Sequence, residues 1–138
     1  MEGVSFRPMV PDDLPFVMDT WLKSWRKSPW AGIVPNNEFY PLTRRTIEGL
    51  IMRGSVIEVA CLTKAPERIV GWICHESRNN EKYVHCVYVK DPYISTGIGR
   101  TLVSRHQGAE NFYTFRTKQT ESACRGTHRH VPEIARRK

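Results

Sequence analysis

No apolar run in this 138-residue chain approaches the ~20 residues a membrane-spanning helix requires. The opening residues, MEGVSFRPMVPDD, have no basic stretch followed by an apolar one, so neither a secretory leader nor a membrane partner is expected. Cysteine is sparse. Cys61, Cys74 and Cys86 sit in strand-like stretches and Cys124 stands apart, so the four read as free thiols of a reducing compartment, the cytoplasm, rather than as a disulfide framework. No G-x-x-x-x-G-K-[ST] loop occurs, and a G-x-G-x-x-G fingerprint starting at Gly97 fails because Leu102 stands in the third glycine position. Cys124-x-x-x-His128-x-His130 lacks the paired spacing and the fourth ligand of a structural zinc site, so no metal is expected. Residues 116–138 contain no Phe, Trp or Tyr, which argues against base stacking and so against a nucleic-acid partner.

What is present fits one globular domain. Apolar residues make up 40% and charged residues 25%, ordinary for a packed core with a solvated surface. The net charge of +7 is uneven: residues 116–138 hold seven cations against two carboxylates, which leaves only +2 for the first 115 residues. That basic end is expected to be solvated or partly disordered, with a short helix around residues 132–137, and it could meet an acidic protein partner. The domain proper is expected to span residues 1–117, with 118–138 as the tail.

Hydrophobic spacing sets the element order. Val4–Met9 reads as a strand. Pro11-Asp12-Asp13 opens a helix with Asp12 as N-cap, and Leu14, Val17, Met18, Trp21, Leu22 and Trp25 follow at helical spacing. A turn-rich connection through Asn37 leads to a second helix capped by Thr43, with Ile47, Leu50 and Ile51 inward and Gly54 as the stop. VIEVACL (56–62), IVGWICH (69–75) and YVHCVYV (83–89) are strands of a meander. A glycine-bearing loop, a helix around Leu102 and Val103, and a fifth strand over residues 111–117 complete β-α-α-β-β-β-α-β. The class is α+β (mixed α/β), a mostly antiparallel twisted sheet flanked by helices with a truncated or divergent C-terminus.

The loop carries the chemistry. Ile94-Ser95-Thr96-Gly97-Ile98-Gly99-Arg100 leads from a strand into a helix start, where unpaired N–H groups and the helix dipole favour an anion such as a diphosphate. The same glycines also fit a plain capping turn. The block Val87–Val103 resembles the coenzyme-A loop of the Gcn5-related N-acetyltransferase (GNAT) superfamily, Gln/Arg-x-x-Gly-x-Gly/Ala, with both glycines matched and Ile94 departing from the first position. The element order from Val4 to Thr117 follows that family as well. A narrower resemblance, through residues 20–40, GWIC (71–74) and YVHCVYVK (83–90), is to short GNAT proteins of bacteriophages and prophages, which implies a bacterial host cytoplasm and a host target.

The resemblance implies acetyl-CoA as cofactor and direct transfer of an acetyl group to an amine acceptor, either a protein Lys or N-terminus or a small amine. It implies that Val87, Tyr88 and Val89 pair with pantetheine, and that Ile94, Ser95, Thr96, Gly97, Ile98, Gly99 and Arg100 surround the pyrophosphate. His85 is a candidate base with an unperturbed pKa of about 6.5, and equally a packed sheet histidine. Tyr113 stands in for the family's Tyr acid, which has no counterpart after residue 113, and it could equally be an aromatic filler. Trp25, Trp30, Asn36 and Tyr40 are expected to shape the acceptor side. The missing C-terminal arm leaves open a homodimer that completes the sheet, or a catalytically weak GNAT-like protein that acts as a binding module.

Overall fold

A computed structural model describes residues 1–28, 31–32 and 34–132. Six strands form one open sheet in chain order: β1 (Val4–Pro8), β2 (Val56–Leu62), β3 (Ala65–Arg78), β4 (Glu81–Val89), β5 (Glu110–Tyr113) and β6 (Arg129–His130). β1 to β4 are antiparallel, whereas β4–β5 and β5–β6 are parallel. The class, and the element order as far as β5, are those the hydrophobic spacing predicts. No helix among the described residues is long and apolar enough to cross a membrane.

Strand alternation divides the core between two faces. Trp72 and Cys74 of β3, Cys86 and Tyr88 of β4 face α1 (Leu14–Arg26) and α2 (Asn36–Met52), where Trp21, Trp25, Phe39 and Phe115 pack. Ile73, Val87 and Val89 face α3 (Ile98–Ser104) and α4 (Lys118–Cys124), packing on Ile98, Leu102 and Ala123. All four cysteines are buried free thiols.

Three boundaries differ from the sequence reading. The capping role given to Asp12 belongs to Asp13, whose carboxylate accepts from Val10 N–H (2.9 Å) and from the Arg7 fork (2.6 and 3.1 Å). α2 starts at Asn36 rather than Thr43, which is buried inside the helix. Phe39, 2% exposed beneath the Arg26 guanidinium, anchors that added first turn through apolar burial and a cation–π contact.

The third difference is the C-terminal segment, which is not a solvated tail as far as His130. Thr117 caps α4 by accepting from Thr120 N–H (3.1 Å), and Thr120, Ala123 and Cys124 are buried. β6 then adds to the β5 edge. The polar appearance of this segment hid a helix with only one buried face. Trp30 and the helix expected at residues 132–137 lie outside the described residues, apart from Pro132.

Candidate functional site

β4 and β5 pair only as far as Val84 and Tyr113, with one further bond from Thr114 N–H to Val84 C=O (3.0 Å). His85 is an extra residue on β4: Cys74 pairs with Cys86 and His75 with Val84. Such a bulge bends and twists its strand, and beyond it β4 leaves β5 behind. In the gap the outward groups of β4 meet side chains of α4 instead of a strand. Val87 N–H donates to Thr120 Oγ1 (2.9 Å). Val89 is clasped twice by the Gln119 carboxamide, which accepts from Val89 N–H and donates to Val89 C=O, both at 2.9 Å.

The pantetheine pairing implied for Val87 and Val89 thus meets groups already bonded: the Val87 N–H and both polar groups of Val89 are satisfied within the chain, and Thr120 is fully buried. Tyr88 turns its backbone to Trp72 of β3 and its ring to the α1 face. Gln119 and Thr120 were missed because nothing links them to β4 in sequence. Only the cap-like Thr117 signals that a helix begins there.

On the α3 face, Lys90 begins an exposed loop. Ile94, Ser95, Thr96 and Gly97 are exposed, Ile98 is buried in the core, Gly99 is half-buried and Arg100 is exposed. Gly97 holds φ +93° as the α3 N-cap, a left-handed conformation suited to glycine, and an added Cβ would meet nothing within 4 Å. Ser95 is also left-handed (φ 70°). The helical ladder starts with Thr101 N–H donating to Gly97 C=O (2.9 Å), so the N–H groups of Ile98, Gly99 and Arg100 precede it. The Thr96 hydroxyl donates to Tyr93 C=O (2.5 Å). Gly99 serves packing: its Cβ position lies 3.5 Å from Ala123 Cβ and Val89 Cγ2, where α3, α4 and β4 meet.

On the opposite face a cleft of about 800 Å³ opens between the C-terminal half of α1, the end of β4 and the β5–α4 turn. Tyr88, Val89 and Gln119 line it, so it adjoins the clasp. Ser24, Lys27 and Ser28 supply its α1 wall. Trp25, expected to shape the acceptor side, is 0% exposed and stacked on Phe115 (centroids 4.0 Å apart). Asn36 and Tyr40 do not line the cleft.

His85 does not reach either opening. It is 0% exposed, with Nδ1 2.7 Å from Thr114 Oγ1 and Nε2 2.9 Å from Glu76 Oε1. Arg53 (3.1 Å), Ser55 (3.4 Å) and Arg78 (2.7 Å) also donate to the Glu76 carboxylate. Burial opposes the charge on Glu76, but hydrogen bonds from His85 and Arg78 and the charges of His85 and Arg53 outweigh it and hold its pKa well below the usual range. A carboxylate only accepts, so His85 Nε2 carries the hydrogen and Nδ1 faces the threonine hydroxyl. The role of base expected for His85 is thus corrected to a structural one: it ties the bulge to β3 and β5.

Tyr113 ends β5 and donates its hydroxyl to Glu121 Oε2 (3.1 Å). Burial and the bond to Glu121 raise its pKa, so the phenol stays protonated. It lines a second, smaller cleft of about 440 Å³ with Lys118, Ser122, Arg125 and His128, and Glu121 lines both clefts. No group of three or more His, Cys, Asp or Glu among the described residues is placed to hold a metal ion.

No family profile and no curated protein sequence matches the chain. Solved structures do. A possible acetyltransferase from Clostridium difficile 630 superposes with TM-score 0.60 at 14% identity, covering 88% of this chain and 85% of its own. A predicted acetyltransferase from Clostridium acetobutylicum, solved with acetyl-CoA, gives 0.57 at 15% identity over 88% and 86%. The PaiA N-acetyltransferase of Thermoplasma acidophilum, solved with coenzyme A, gives 0.55 at 20% identity over 74% and 68%. At these identities the likeness establishes the fold: the mostly antiparallel open sheet flanked by helices is the fold of the GNAT acetyltransferases.

Proposed function

We propose that this protein binds acetyl-coenzyme A across the β4–β5 gap and transfers its acetyl group to an amine. The observation that carries the reading is the departure of β4 from β5 at the His85 bulge, directly before the left-handed Gly97 entry into α3. A strand edge suited to amide pairing and a helix start suited to phosphate thereby adjoin. The fit is supported at both ends. The Cβ space at Gly97 is open, and the group now on Val89 is itself a carboxamide, which bonds both the N–H and the C=O as a ligand amide would.

In this reading Val89 and, behind it, Val87 hold the pantetheine arm once Gln119 yields. Ser95, Thr96 and Gly97, with the N–H groups of Ile98, Gly99 and Arg100, hold the pyrophosphate, and Ile94 and Tyr88 flank the path. When bound, acetyl-coenzyme A supplies an activated thioester. The chain contributes position and proton control. Tyr113, kept protonated beside Glu121, is the proton donor. His85 acts through Glu76 and Thr114 by fixing the bulge. The acceptor is a protein Lys, an N-terminal amine or a small amine.

Calorimetric titration with acetyl-coenzyme A tests the reading. One-site binding that weakens at least tenfold in Gly97→Val, with the circular dichroism spectrum retained, is expected. Equal affinity in that variant overturns the site. A second reading is favoured by one observation: Gln119 and Thr120 already satisfy the β4 edge. A chain in which α4 never yields would be a binding module of the same fold, and absence of coenzyme-A binding at millimolar ligand would establish it.

A further inference from the structure

The cleft on the α1 face concentrates part of the chain's +7 net charge. α1 contributes Lys23 and Lys27, the end of β4 contributes Lys90, and the β5–α4 turn contributes Arg116 and Lys118; Asp91 and Glu121 are the opposing carboxylates. Two of the five cations are neutralised locally, Lys23 by Asp19 (3.0 Å) and Arg116 by Glu121 (3.0 Å). Lys27, Lys90 and Lys118 make no ion pair among the described residues. Lys23 and Ser24 of α1 and Lys27 at its C-cap follow at spacings of three and four residues and line the cleft, whereas the Thr20 hydroxyl is bonded inward, donating to Phe16 and Val17 C=O and accepting from Trp72 Nε1. At about 800 Å³ it has the size of a small-molecule site.

We propose that this cleft is the acceptor subsite and that it selects small amines bearing a phosphate or carboxylate group, excluding polycations. The inference rests on the acetyl-transfer reading for the word acceptor; the anion selectivity stands on the cleft itself. Three unpaired cations around one concave wall raise the local concentration of anions and repel polyamines, and low-dielectric walls strengthen both effects. Lys90, Asp91 and Pro92 at the start of the loop line the cleft, whereas Ile94 to Arg100, the residues proposed to hold the pyrophosphate, do not.

Calorimetry on the intact protein without cofactor tests this, with O-phosphoserine and spermidine as probes. O-phosphoserine is expected to bind with one-site stoichiometry and spermidine not to bind. The double variant Lys27→Glu/Lys118→Glu, both on exposed side chains, is expected to weaken O-phosphoserine at least tenfold, and raising sodium chloride from 50 to 300 mM to weaken it severalfold. Spermidine binding equal to or tighter than O-phosphoserine, absence of O-phosphoserine binding, or an affinity unchanged in the double variant would each overturn the assignment. A parallel titration with acetyl-coenzyme A separates the two ideas. O-phosphoserine bound without coenzyme-A binding removes the acetyl-transfer reading and leaves an anion site; coenzyme A bound with spermidine preferred removes the anion selectivity alone.

Discussion

Replacing Gln119 by Ala should weaken the fold and tighten the cofactor site at once. The Gln119 carboxamide makes two 2.9 Å hydrogen bonds to Val89. A neutral hydrogen bond contributes about 0.5–1.5 kcal/mol net, and Gln119 is only half-buried, so the low end applies and the pair is worth about 1–2 kcal/mol. Any ligand amide that uses Val89 must first displace that pair. If the open form is a minor population, affinity is reduced by its fraction, and 1–2 kcal/mol corresponds to about 5- to 30-fold. Gln119→Ala is therefore expected to lower the Kd for acetyl-coenzyme A by about that factor in calorimetry. Its Tm should fall by about 3–7 °C, since the Val89 groups then rely on water. Opposite signs in the two assays are the signature. An unchanged Kd would mean that the ligand does not use Val89. A Kd raised tenfold would mean that Gln119 grips the ligand instead of competing with it. Either result refutes the clasp.

Glu76→Gln removes the charge at the centre of the Arg53, Arg78 and His85 network and is expected to destabilise by about 2–4 kcal/mol in urea titration. Because its folded pKa lies below the ordinary value of 4.5, the wild-type carboxylate stabilises above about pH 4.5 and loses that contribution as pH falls below it; the variant should lack this acid-side loss. His75 is buried, stacked on His106 at 3.8 Å, and both its ring nitrogens lack hydrogen-bond partners among the described residues; burial, then the charge of His106, pushes its pKa down to about 4. The folded state then binds fewer protons than the unfolded state between about pH 6.5 and 4, so stability should fall by about 3 kcal/mol as pH drops across that window, and His75→Phe should flatten the slope in denaturant midpoints measured against pH. Gly71→Ala would place a Cβ 2.8 Å from Tyr88 C=O and 3.2 Å from Ile98 Cγ2, and the backbone oxygen cannot turn aside; a loss of about 1–3 kcal/mol in thermal unfolding is expected.

The strands were legible wherever burial is two-sided or alternating. VIEVACL coincides with β2, and the end of β4 at Val89 is where the β-branched run stops. The left-handed turn at Gly97 was legible because glycine there has a mechanical reason, and the structure shows it. The interior of the site was not legible. Whether a histidine in a strand faces a cleft or a carboxylate depends on a bulge, and one extra residue moves the whole pattern to the other face. His85 could not be separated from a base by period-two reasoning, because its partners, Glu76 and Thr114, lie 9 and 29 residues away. α4 escaped because its inward residues, Thr120, Ala123 and Cys124, are small, and Ala123 packs where α3 presents Gly99.

The gap between β4 and β5 persists because the chain opposes its closure at three consecutive residues. Thr114, just past the end of β5, still donates its N–H to Val84 C=O, and its hydroxyl is held by His85, the extra residue of the bulge. Phe115 then turns into the α1 face, where its ring stacks on Trp25, and burying an aromatic side chain outweighs the one or two strand bonds that continued pairing would add. Arg116 leaves for solvent and pairs with Glu121, and Thr117 starts α4, which returns to cover the exposed β4 edge with Gln119 and Thr120. An edge left bare here would be an invitation to intermolecular pairing. Covering it with two side chains, rather than with a strand, protects the edge while keeping the cover removable at Val89, where the clasp borders an open cleft. Thr120, sealed at 0% exposure over Val87, is the fixed half of that cover, and Gln119 is the half that can yield.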